Sequence, residues 1–324
     1  MMRFWVADMG GTNCRLAEFV CEKNPALVKE VWLATQSFQG AQDLLEAFAT
    51  AFPEHLEDVR GLCLALAGPV TPEGGRLTNA SFVCDRKALH TAFSALLPKA
   101  APSPEILVIN DFVAQAYAVL SPLGEQARPL RSLQKAWPAC GVRAVIGAGT
   151  GLGAAHLIER AGQVTVCASE AGHQPFPFRR DEYDCARFLA LERGLPEPTC
   201  EDLLSGPGLC HLHAYVTGEE LAAPEIGQRY LHTSSPTLEL FSRFYGRFCR
   251  IWLYTTCCYD GLWIGGGIAL ANPLTVQSPA FLAEIEGTGV YAWVSDIPLW
   301  LFPSSSSGLW GACWALWLRQ ACCG

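Results

Sequence analysis

Blocks of apolar and polar residues along the first third of the chain predict a mixed α/β domain. Apolar runs of strand length predict strands in a hairpin at 3–20 and at 28–35, 61–67 and 106–109. Apolar residues at helical spacing predict helices at 41–52 and 85–97. Three hairpin-like strands followed by helix, strand, helix and strand make one α/β domain of about 110 residues, a normal domain size.

The second part of the chain begins a new set of strands after a connection at 121–142 that is rich in proline, glycine and charge. Strands are predicted in a glycine-interrupted hairpin at 144–158 and at 163–168, 262–264 and 290–294. Helices are predicted at 208–216, 219–230, 236–258 and 308–318. With 324 residues, the chain is long enough for two domains with a substantial core.

Composition narrows the classes of function. Hydrophobic residues make up 50% of the chain and charged residues 17%, which predicts a folded globular protein. The net charge of -8 argues against a nucleic-acid partner. The 15 cysteines include no C-x-x-C spacing, so we expect reduced, mostly buried thiols in a cytoplasmic protein. The most membrane-like stretch, 251–274, is interrupted by Asp260 and three glycines, and no membrane partner is expected.

Asp111 directly follows the strand at 106–109 and precedes an apolar-periodic run at 112–120 that predicts a helix. In open α/β sheets this carboxyl edge is where ligands bind, so a carboxylate here can act as a general base or anchor a substrate. Asn and Asp are also the favoured residues at helix N-caps. A helix cap is the simpler explanation of Asn110-Asp111 when the pair is taken alone. The other motifs of the chain decide between a cap and a role as general base or substrate anchor.

The turn of the first hairpin carries Asp8, Gly10, Gly11, Thr12 and Asn13. Glycines let backbone N–H groups approach an anion closely, and the side chains of Thr12 and Asn13 add hydrogen-bond donors. The Asp8 carboxylate is suited to a hydrated Mg²⁺. These residues indicate a site for a phosphorylated ligand, and the turn taken alone is equally consistent with an ordinary Gly-Gly hairpin.

A second glycine turn follows the strand that begins at Ala144 and contains Gly149, Thr150 and Gly151. The spacing Gly149-x-Gly151-x-x-Ala154 formally matches a dinucleotide-binding pattern, so a nicotinamide-dependent dehydrogenase is an alternative. That pattern requires a helix after the glycines, whereas this sequence continues as a strand. A second hairpin is therefore the better interpretation, and two such turns could hold the phosphates of one nucleotide from both sides.

Three further segments carry candidate binding residues after predicted strands or before a helix. Glu170 and His173 lie three residues apart in a turn, where they could converge on a polar ligand or form a solvated pair on a surface loop. Glu201 precedes a turn that leads into a helix. Gly266 and Gly267 follow a strand, and their bare backbone would let a flat base or ribose approach.

Taken in order, these motifs resemble the bacterial glucokinase family of the sugar-kinase, actin and Hsp70-like ATPase fold superfamily. The similar segments are Asp8-Met-Gly-Gly-Thr-Asn13-x-Arg15, Leu66-Ala-Gly-Pro-Val70, Ile109-Asn-Asp-Phe112, Gly147-Ala-Gly-Thr-Gly-Leu-Gly153, Ser169-Glu-Ala-Gly-His173, Glu201-x-x-Leu-Ser-Gly-Pro-Gly-Leu209, Gly265-Gly-Gly-Ile268 and Gly308-Leu-Trp-Gly-Ala312. The resemblance covers nearly all of the chain, and the order and spacing of the motifs are far more specific than any one of them.

This resemblance implies a two-domain ribonuclease H-like (actin-like ATPase) sugar kinase, an α/β fold with an interdomain cleft. One domain would comprise 1–110 and 303–324, and the other 111–302. The implied activity is the transfer of the ATP γ-phosphate to the 6-hydroxyl of glucose, with ATP between the two domains and Mg²⁺ as cofactor. The family also implies a homodimer.

The resemblance also implies roles for individual residues. Asp111 would be the general base, and its position at a helix N-terminus should favour the ionised form. Mg²⁺ would be held near Asp8, through water. The sugar-binding residues would be Asn110, Asp111, Glu170, His173 and Glu201. The nucleotide would lie against Gly10, Gly11, Thr12, Asn13, Gly149, Thr150, Gly151, Gly266 and Gly267.

The chain departs from the family pattern at Ala171, where the family usually has glycine, so another hexose such as mannose or N-acetylglucosamine is an alternative substrate. It also lacks the cysteine-rich zinc motif of the related ROK kinases (repressors and open-reading-frame kinases), which favours the glucokinase branch. A non-enzymatic sugar sensor is the competing class. Related regulators carry an N-terminal helix-turn-helix, whereas a strand is predicted here from Arg3.

Overall fold

The computed structural model describes residues 1–98, 102–131, 137–287 and 289–321. The chain forms two compact units: unit 1 comprises residues 1–125 with 306–324, and unit 2 comprises residues 126–305. Each unit has its own main sheet and its own buried apolar clusters, and residues 70–85 of unit 1 add a small three-stranded sheet.

The strands follow the predicted order closely. They are β1 (Met2–Met9), β2 (Asn13–Cys21), β3 (Pro25–Ala34), β4 (Val59–Leu66), β5 (Val70–Thr71), β6 (Gly74–Arg76), β7 (Val83–Asp85), β8 (Glu105–Asn110), β9 (Arg128–Pro129), β10 (Val142–Ala148), β11 (Leu152–Arg160), β12 (Gln163–Ser169), β13 (Leu262–Gly265) and β14 (Leu299–Leu301).

The helices include all those that the apolar spacing predicts. They are α1 (Ala41–Ala51), α2 (Arg86–Leu96), α3 (Asp111–Ala118), α4 (Pro122–Glu125), α5 (Tyr183–Glu192), α6 (Gly206–Thr217), α7 (Ala223–Tyr230), α8 (Pro236–Thr256), α9 (Gly267–Ala271), α10 (Leu274–Gln277), α11 (Pro279–Ile285) and α12 (Ser307–Ala321). Short 3₁₀ helices cover Thr35–Ser37, Leu56–Asp58, Ala171–His173, Arg180–Glu182 and Gly289–Asp296.

Unit 1 is built on a sheet with the strand order β3-β2-β1-β4-β8, in which β1, β4 and β8 are parallel and β2 and β3 complete an antiparallel meander. Side chains alternate along β1, so Trp5 packs with α1 and α2, whereas Phe4 packs with α12 on the other face. The Trp5 ring stacks on Phe48 of α1 with the ring centroids 5.2 Å apart. Both faces of the sheet are covered by helices.

Unit 2 has a sheet with the order β12-β11-β10-β13-β14-β9. Strands β10, β13 and β14 are parallel, β11 and β12 form an antiparallel meander beside them, and β9 pairs antiparallel with β14. The longest helix, α8, begins after Ser235, whose hydroxyl accepts a hydrogen bond from the Leu238 amide at 3.0 Å. It buries Phe241, Phe244 and Phe248 in the core of the unit.

Helices α3 and α12 pack closely within unit 1 because Gly311 has no side chain. A methyl group at Gly311 would lie 1.6 Å from the Ala114 carbonyl oxygen. The Ser307 hydroxyl, at the start of α12, lies 3.5 Å from the Gln115 side-chain oxygen. This packing makes α3 part of unit 1, so the chain changes unit after Glu125 and not at residue 110, where the resemblance put the boundary.

The prediction of a last strand at 290–294 is wrong. These residues lie in the 3₁₀ helix Gly289–Asp296, and Val290 is exposed. The last strand is β14, which pairs in parallel with β13. Its three residues stand between Pro298 and Pro303, so the apolar run is too short to be recognised, and its pairing partner is distant in the sequence.

The predicted hairpin after the second glycine turn is confirmed, because β11 begins at Leu152. The helix that the dehydrogenase alternative requires at this point is therefore replaced by a strand. The predicted connection at 121–142 contains α4 and β9, and residues 132–136 of it lie outside the described residues. Among the described helices, none combines the length and the apolar character needed to cross a bilayer.

Candidate active site

The carboxyl ends of β1, β4 and β8 lie side by side in unit 1. Met9 pairs with Leu66, and Leu66 pairs with Asn110, so the three strands end at one level. Neighbouring strands are about 4.8 Å apart, which puts the ends of β1 and β8 on the order of 10 Å from each other. The sheet thereby brings Asp8 and Asp111 to the same edge.

Asn110 is the N-cap of α3. Its side-chain oxygen accepts hydrogen bonds from the amides of Phe112 and Val113 at 2.9 and 3.3 Å, and its side-chain nitrogen donates to the Gly68 carbonyl at 3.3 Å. Asp111 is the first residue of the helix and is half-buried. Of the Asn-Asp pair, for which the sequence allowed a capping role, it is therefore Asn110 that caps the helix. Asp111 keeps a position in the first turn, where a helix favours negative charge.

Asp8 lies between Arg15 and the start of α12. Arg15, its cross-strand neighbour, donates a hydrogen bond to the Asp8 carboxylate. A methyl group at Gly308 would lie 2.3 Å from the same carboxylate oxygen, so this glycine lets the first turn of α12 come close to Asp8. The Asp8 side chain is 16% exposed. One mostly covered carboxylate fits Mg²⁺, which usually keeps several waters and binds few protein oxygens.

The first glycine turn is held by Thr35, a residue that the sequence did not mark as part of the site. The Thr35 hydroxyl donates to the Gly10 carbonyl at 2.7 Å, and its amide donates to the Thr12 carbonyl at 3.0 Å. The Gly10 amide donates to the Asn13 carbonyl at 2.9 Å and closes the turn. Thr35 is buried, whereas Thr12 and Asn13 are exposed. No local pattern marks Thr35, because it meets the turn only through the pairing of β2 with β3.

The second glycine turn, between β10 and β11, is held at both ends by the segment that contains Glu201. The Gly149 amide donates to the Gly151 carbonyl at 2.8 Å, and the Gly149 carbonyl accepts from the Gly206 amide at 2.8 Å. The Glu201 carboxylate accepts a hydrogen bond from the Leu152 amide at 2.7 Å. Glu201, predicted only as a sugar ligand, is therefore also bonded to the backbone of this hairpin.

The segment predicted to bind sugar lies against the beginning of β11. Glu170 and His173 are exposed, with the carboxylate and the Nε2 atom 3.7 Å apart. A methyl group at Gly172 would lie 2.1 Å from the Leu152 carbonyl oxygen, so the two segments are in close backbone contact. Ala171 is buried within a 3₁₀ helix and does not have a positive φ, so its position accepts a methyl group.

The glycines predicted to face adenosine lie beside the second turn. Gly266 has a φ of 82°, and a methyl group there would lie 2.3 Å from the Ala148 carbonyl oxygen. A side chain on Gly267 would meet nothing within 4 Å. The ideal Cβ position of Gly149 lies 3.8 Å from the Gly267 nitrogen. Backbone without side chains, from Gly149 of the second turn and from Gly266-Gly267, is thus present at this end of the unit 2 sheet.

Two predicted nucleotide residues remain to be placed. Gly11 is half-buried, and a methyl group there would lie 3.1 Å from the Asn79 Cβ. Thr150 is exposed at the second turn. The predicted site residues are therefore brought together as two sets, one at the carboxyl edge of the unit 1 sheet and the other around the second turn in unit 2.

The cysteines of the described residues are free thiols, and most are buried. Cys14, next to the first turn on β2, shows the consequence: burial, with a smaller contribution from the Asp8 charge, raises its pKa to about 12. A thiol with so high a pKa stays protonated and unreactive. The adjacent pair Cys322-Cys323 lies outside the described residues.

Comparison with known proteins identifies the family. The family model described as Glucokinase matches residues 5–320 of this chain. The glucokinase of Yersinia pestis (strain Pestoides F) is 30% identical over 337 residues, which cover 97% of this chain and 96% of that protein. The chain belongs to the glucokinase family. The resemblance inferred from the motifs is confirmed, and membership makes the chain an ATP-dependent hexose kinase.

Solved glucokinase structures share the fold. A glucokinase from an Antarctic psychrotroph has a TM-score of 0.80 and 27% identity, covering 98% of this chain and 99% of that one. The glucokinase of Balamuthia mandrillaris in complex with glucose has a TM-score of 0.75 and 22% identity, covering 98% and 94%. The ROK family glucokinase of Streptomyces griseus in complex with glucose and AMPPNP has a TM-score of 0.61 and 18% identity, covering 96% and 97%. The mixed α/β fold is thus the actin-like ATPase fold of these sugar kinases.

Proposed function

We propose that this glucokinase-family protein transfers the ATP γ-phosphate to the 6-hydroxyl of glucose, with Asp111 as the general base. The observation that carries the assignment is the division of roles between Asn110 and Asp111. Asn110 caps α3 with its side-chain oxygen, so Asp111 is not required for the cap although it stands at the carboxyl edge of the sheet. A half-buried carboxylate on two rigid elements is well suited to orient one hydroxyl group.

In the proposed step, the oxygen of the 6-hydroxyl forms a bond to the γ-phosphorus while the bond from that phosphorus to ADP breaks. The hydroxyl proton passes to the Asp111 carboxylate. Phosphoryl transfer leaves the protein mainly with positioning and charge neutralisation, so Asp111 acts by orienting the nucleophile as much as by taking its proton.

Sugar recognition is assigned to five polar residues. Those that would bond to sugar hydroxyls are Asn110, Asp111, Glu170, His173 and Glu201. Asn110 donates one side-chain hydrogen to Gly68, so its second N–H hydrogen is the group that could reach a hydroxyl. The exposure of Glu170 and His173 supports their role, because both can reorient to meet a ligand. Polar groups that become buried when the sugar binds would reject analogues that lack a hydroxyl, because one of these groups would then be left unpaired.

Nucleotide binding is assigned to the two glycine turns and to Gly266-Gly267, whose bare backbone supports close approach of phosphates and ribose. Asp8 would hold Mg²⁺ through water, and that ion would neutralise charge on the phosphates when bound. The interdomain cleft that the resemblance implies, with ATP inside it, is part of this proposal. So is the homodimer, which sedimentation of the purified protein would test.

The deciding experiment is a coupled assay of sugar phosphate formation with MgATP, run in parallel on glucose, mannose, fructose and N-acetylglucosamine. We expect a strong preference for glucose. Preference for another hexose would leave the assignment as a kinase unchanged but would change the assigned substrate. Recognition of that hexose would then depend on the turn at 170–173. If the protein binds ATP and sugar but phosphorylates none of the four, the sensor alternative replaces this proposal.

A further inference from the structure

Three segments of unit 2 are joined through Glu201. Its carboxylate oxygen Oε2 accepts from the Leu152 amide at 2.7 Å, at the end of the second glycine turn. Its backbone amide donates to the Gly172 carbonyl at 2.8 Å, within the turn that carries Glu170 and His173. One residue therefore bonds at the same time to the hairpin of β10 and β11, here called the phosphate hairpin, and to the turn at 170–173, here called the sugar segment.

The contact with the hairpin depends on the absence of a side chain at Gly151. A methyl group there would lie 2.6 Å from Glu201 Oε2, so an alanine at this position would require the carboxylate to move away from the turn. The other end of the turn is held by the same segment, through the bond from the Gly206 amide to the Gly149 carbonyl. A charged acceptor makes the stronger kind of hydrogen bond, so Glu201 adds a charge-assisted restraint to the strand pairing of Leu152 with Ala148.

The hairpin contact occupies one oxygen of the carboxylate. Oε2 is bonded to the Leu152 amide, which leaves Oε1 as the atom that a sugar hydroxyl could approach. A hydroxyl on Oε1 would fix the side-chain angles of Glu201 and thereby hold Oε2 more firmly on the hairpin. When one ligand has already ordered a site, a second ligand loses less conformational entropy on binding there, which is a recognised source of positive coupling.

We propose that Glu201 is a positioning residue for the phosphate hairpin and that it couples sugar binding to nucleotide binding. The coupling rests on the proposed function, since it assumes that Glu201 contacts the sugar. The positioning of the hairpin is independent of the sugar and can be measured without it.

Two substitutions separate positioning from sugar contact. In Glu201→Gln the side-chain carbonyl can still accept from the Leu152 amide, so the hairpin remains held while the carboxylate contact with sugar is lost. In Glu201→Ala both contacts disappear. If Glu201 were a sugar ligand alone, neither substitution would change nucleotide binding in the absence of sugar.

The experiment is titration calorimetry of MgADP into the full-length protein, first without sugar and then with saturating glucose. Without sugar, we expect Glu201→Ala to raise the Kd of MgADP by roughly tenfold, the effect of losing one hydrogen bond to a charged group, and Glu201→Gln to stay within about twofold of wild type. Glucose should lower the Kd in wild type, and this gain should shrink in both variants. Glu197→Ala, an exposed acid of the same segment, is the matched control and should match wild type.

Gly151→Ala provides a second route to the same result if Glu201→Ala fails to fold. Its methyl group would displace the carboxylate and should raise the sugar-free Kd of MgADP in the same direction. An unchanged Kd in Glu201→Ala, or in Gly151→Ala if the first variant is unfolded, overturns the positioning role even if wild type phosphorylates glucose. Failure of wild type to phosphorylate any sugar would instead overturn the proposed function and leave the sugar-free comparison valid.

Discussion

The sheets of the two units follow the same path, and the differences between them indicate where the chemistry lies. In unit 1 the order is β3-β2-β1-β4-β8, and in unit 2 it is β12-β11-β10-β13-β14, with β9 added at the edge. Each begins with an antiparallel meander whose first turn is rich in glycine and continues with two parallel strands. The repeated path fixes two equivalent glycine turns.

Equivalent positions beside the two turns carry different residues. One pair before the turn, unit 1 has Asp8 opposite Arg15, whereas unit 2 has Gly147 opposite Gly153. The last parallel strand ends in Asn110, directly followed by Asp111, in unit 1 and in Leu301 in unit 2. The same strand path therefore occurs twice, but the carboxylates directly at the ends of the parallel strands belong to unit 1, since β10, β13 and β14 end in Ala148, Gly265 and Leu301.

The two turns are also held by different chemistry. Thr35 holds the first with a neutral hydroxyl and its own amide, while Glu201 holds the second with a carboxylate. Thr35 is buried, whereas Glu201 is half-buried and bonded to the proposed sugar segment. We therefore expect the first turn to be fixed, whereas the coupling proposed for Glu201 would let the second turn respond to sugar binding.

The largest effect is expected from Asp111→Ala, because the comparison assigns the base to the unit 1 strand ends alone. Turnover should fall by about 10³-fold, within the usual contribution of a general base, while ATP binding is retained. The contribution of the α3 cap to the free energy of unfolding should be retained, since Asn110 remains in place. Steady-state kinetics would measure turnover, calorimetry would measure ATP binding, and urea unfolding would measure stability.

Asp85→Ala is the matched control, since Asp85 is a true cap whose carboxylate accepts from the Ala88 amide at 2.7 Å. It should lower the free energy of unfolding by about 1 kcal/mol and leave turnover close to wild type. If Asp111→Ala kept turnover within a few-fold of wild type, Asp111 could not be the base. A loss of stability as large as that of Asp85→Ala would show that Asp111 also contributes to the stability of the fold.

Unit 2 also contains a network of buried charged side chains, and Glu182→Gln tests how much its stability depends on that network. Glu182 and Glu284 are buried with Arg247, which donates to Glu182 Oε1 at 2.6 Å and to Glu284 Oε1 at 3.1 Å. Removing one charge leaves Arg247 without its full partner, and such losses typically cost about 3–5 kcal/mol. Urea unfolding at about pH 7, monitored in the whole protein, would measure the loss. The exposed Glu192→Gln should have little effect.

The pH dependence of this effect has a definite sign. Burial would raise the pKa of Glu182, but hydrogen bonds from Arg247 and the Arg179 amide, with the nearby arginine charges, bring it below its ordinary value. A lowered pKa in the folded protein stabilises it above the ordinary glutamate pKa of about 4.3, and this stabilisation is lost as the pH falls through the lower value. The difference between wild type and Glu182→Gln should therefore shrink from about pH 7 to about pH 3. A constant difference would mean that the loss is one of packing.

The features predicted well from sequence are those with a local cause. The hairpins at both glycine turns were predicted because apolar runs flank glycines directly, and α3 because its apolar spacing follows Asp111. Strand β14 was missed because three residues between prolines gain their structure from pairing with the distant β13. The apolar run of 290–294 was mistaken for that strand because a short apolar run fits both strand and helix.

Contacts between distant segments account for what sequence could not show in the site. Thr35 and Glu201 reach the glycine turns only through the folded sheet and its neighbouring loop. Unit 1 includes α3, which packs on α12 with Gly311 close to Ala114, and a glycine in an apolar helix does not reveal what lies against it. Local sequence patterns therefore mark the candidate site residues, whereas they do not mark the contacts that hold those residues in place.

A smaller effect is expected from Thr35→Val, which tests the neutral contact of the first turn. The substitution preserves shape but removes the hydroxyl that donates to the Gly10 carbonyl. We expect the KM for ATP to rise by about three- to tenfold and the free energy of unfolding to fall by about 1 kcal/mol, as for one hydrogen bond. Thr35→Ser keeps the hydroxyl and should retain the wild-type KM. An unchanged KM in Thr35→Val would mean that the first turn needs no such contact, and the comparison with Glu201 would fail.

The smallest effect is expected from Ala171→Gly, which restores the glycine that the family usually has in the sugar segment. Because residue 171 lies in a 3₁₀ helix without a positive φ, glycine offers no conformational advantage there and loses a buried methyl group. The sugar KM should stay within about twofold, while the free energy of unfolding falls by about 1 kcal/mol. Gly172→Ala is the contrasting neighbour, since its methyl group would lie 2.1 Å from the Leu152 carbonyl oxygen and must displace β11 or the sugar turn. A changed hexose preference in Ala171→Gly would show that the methyl group itself shapes the sugar site, and that the difference between this chain and its family is one of specificity.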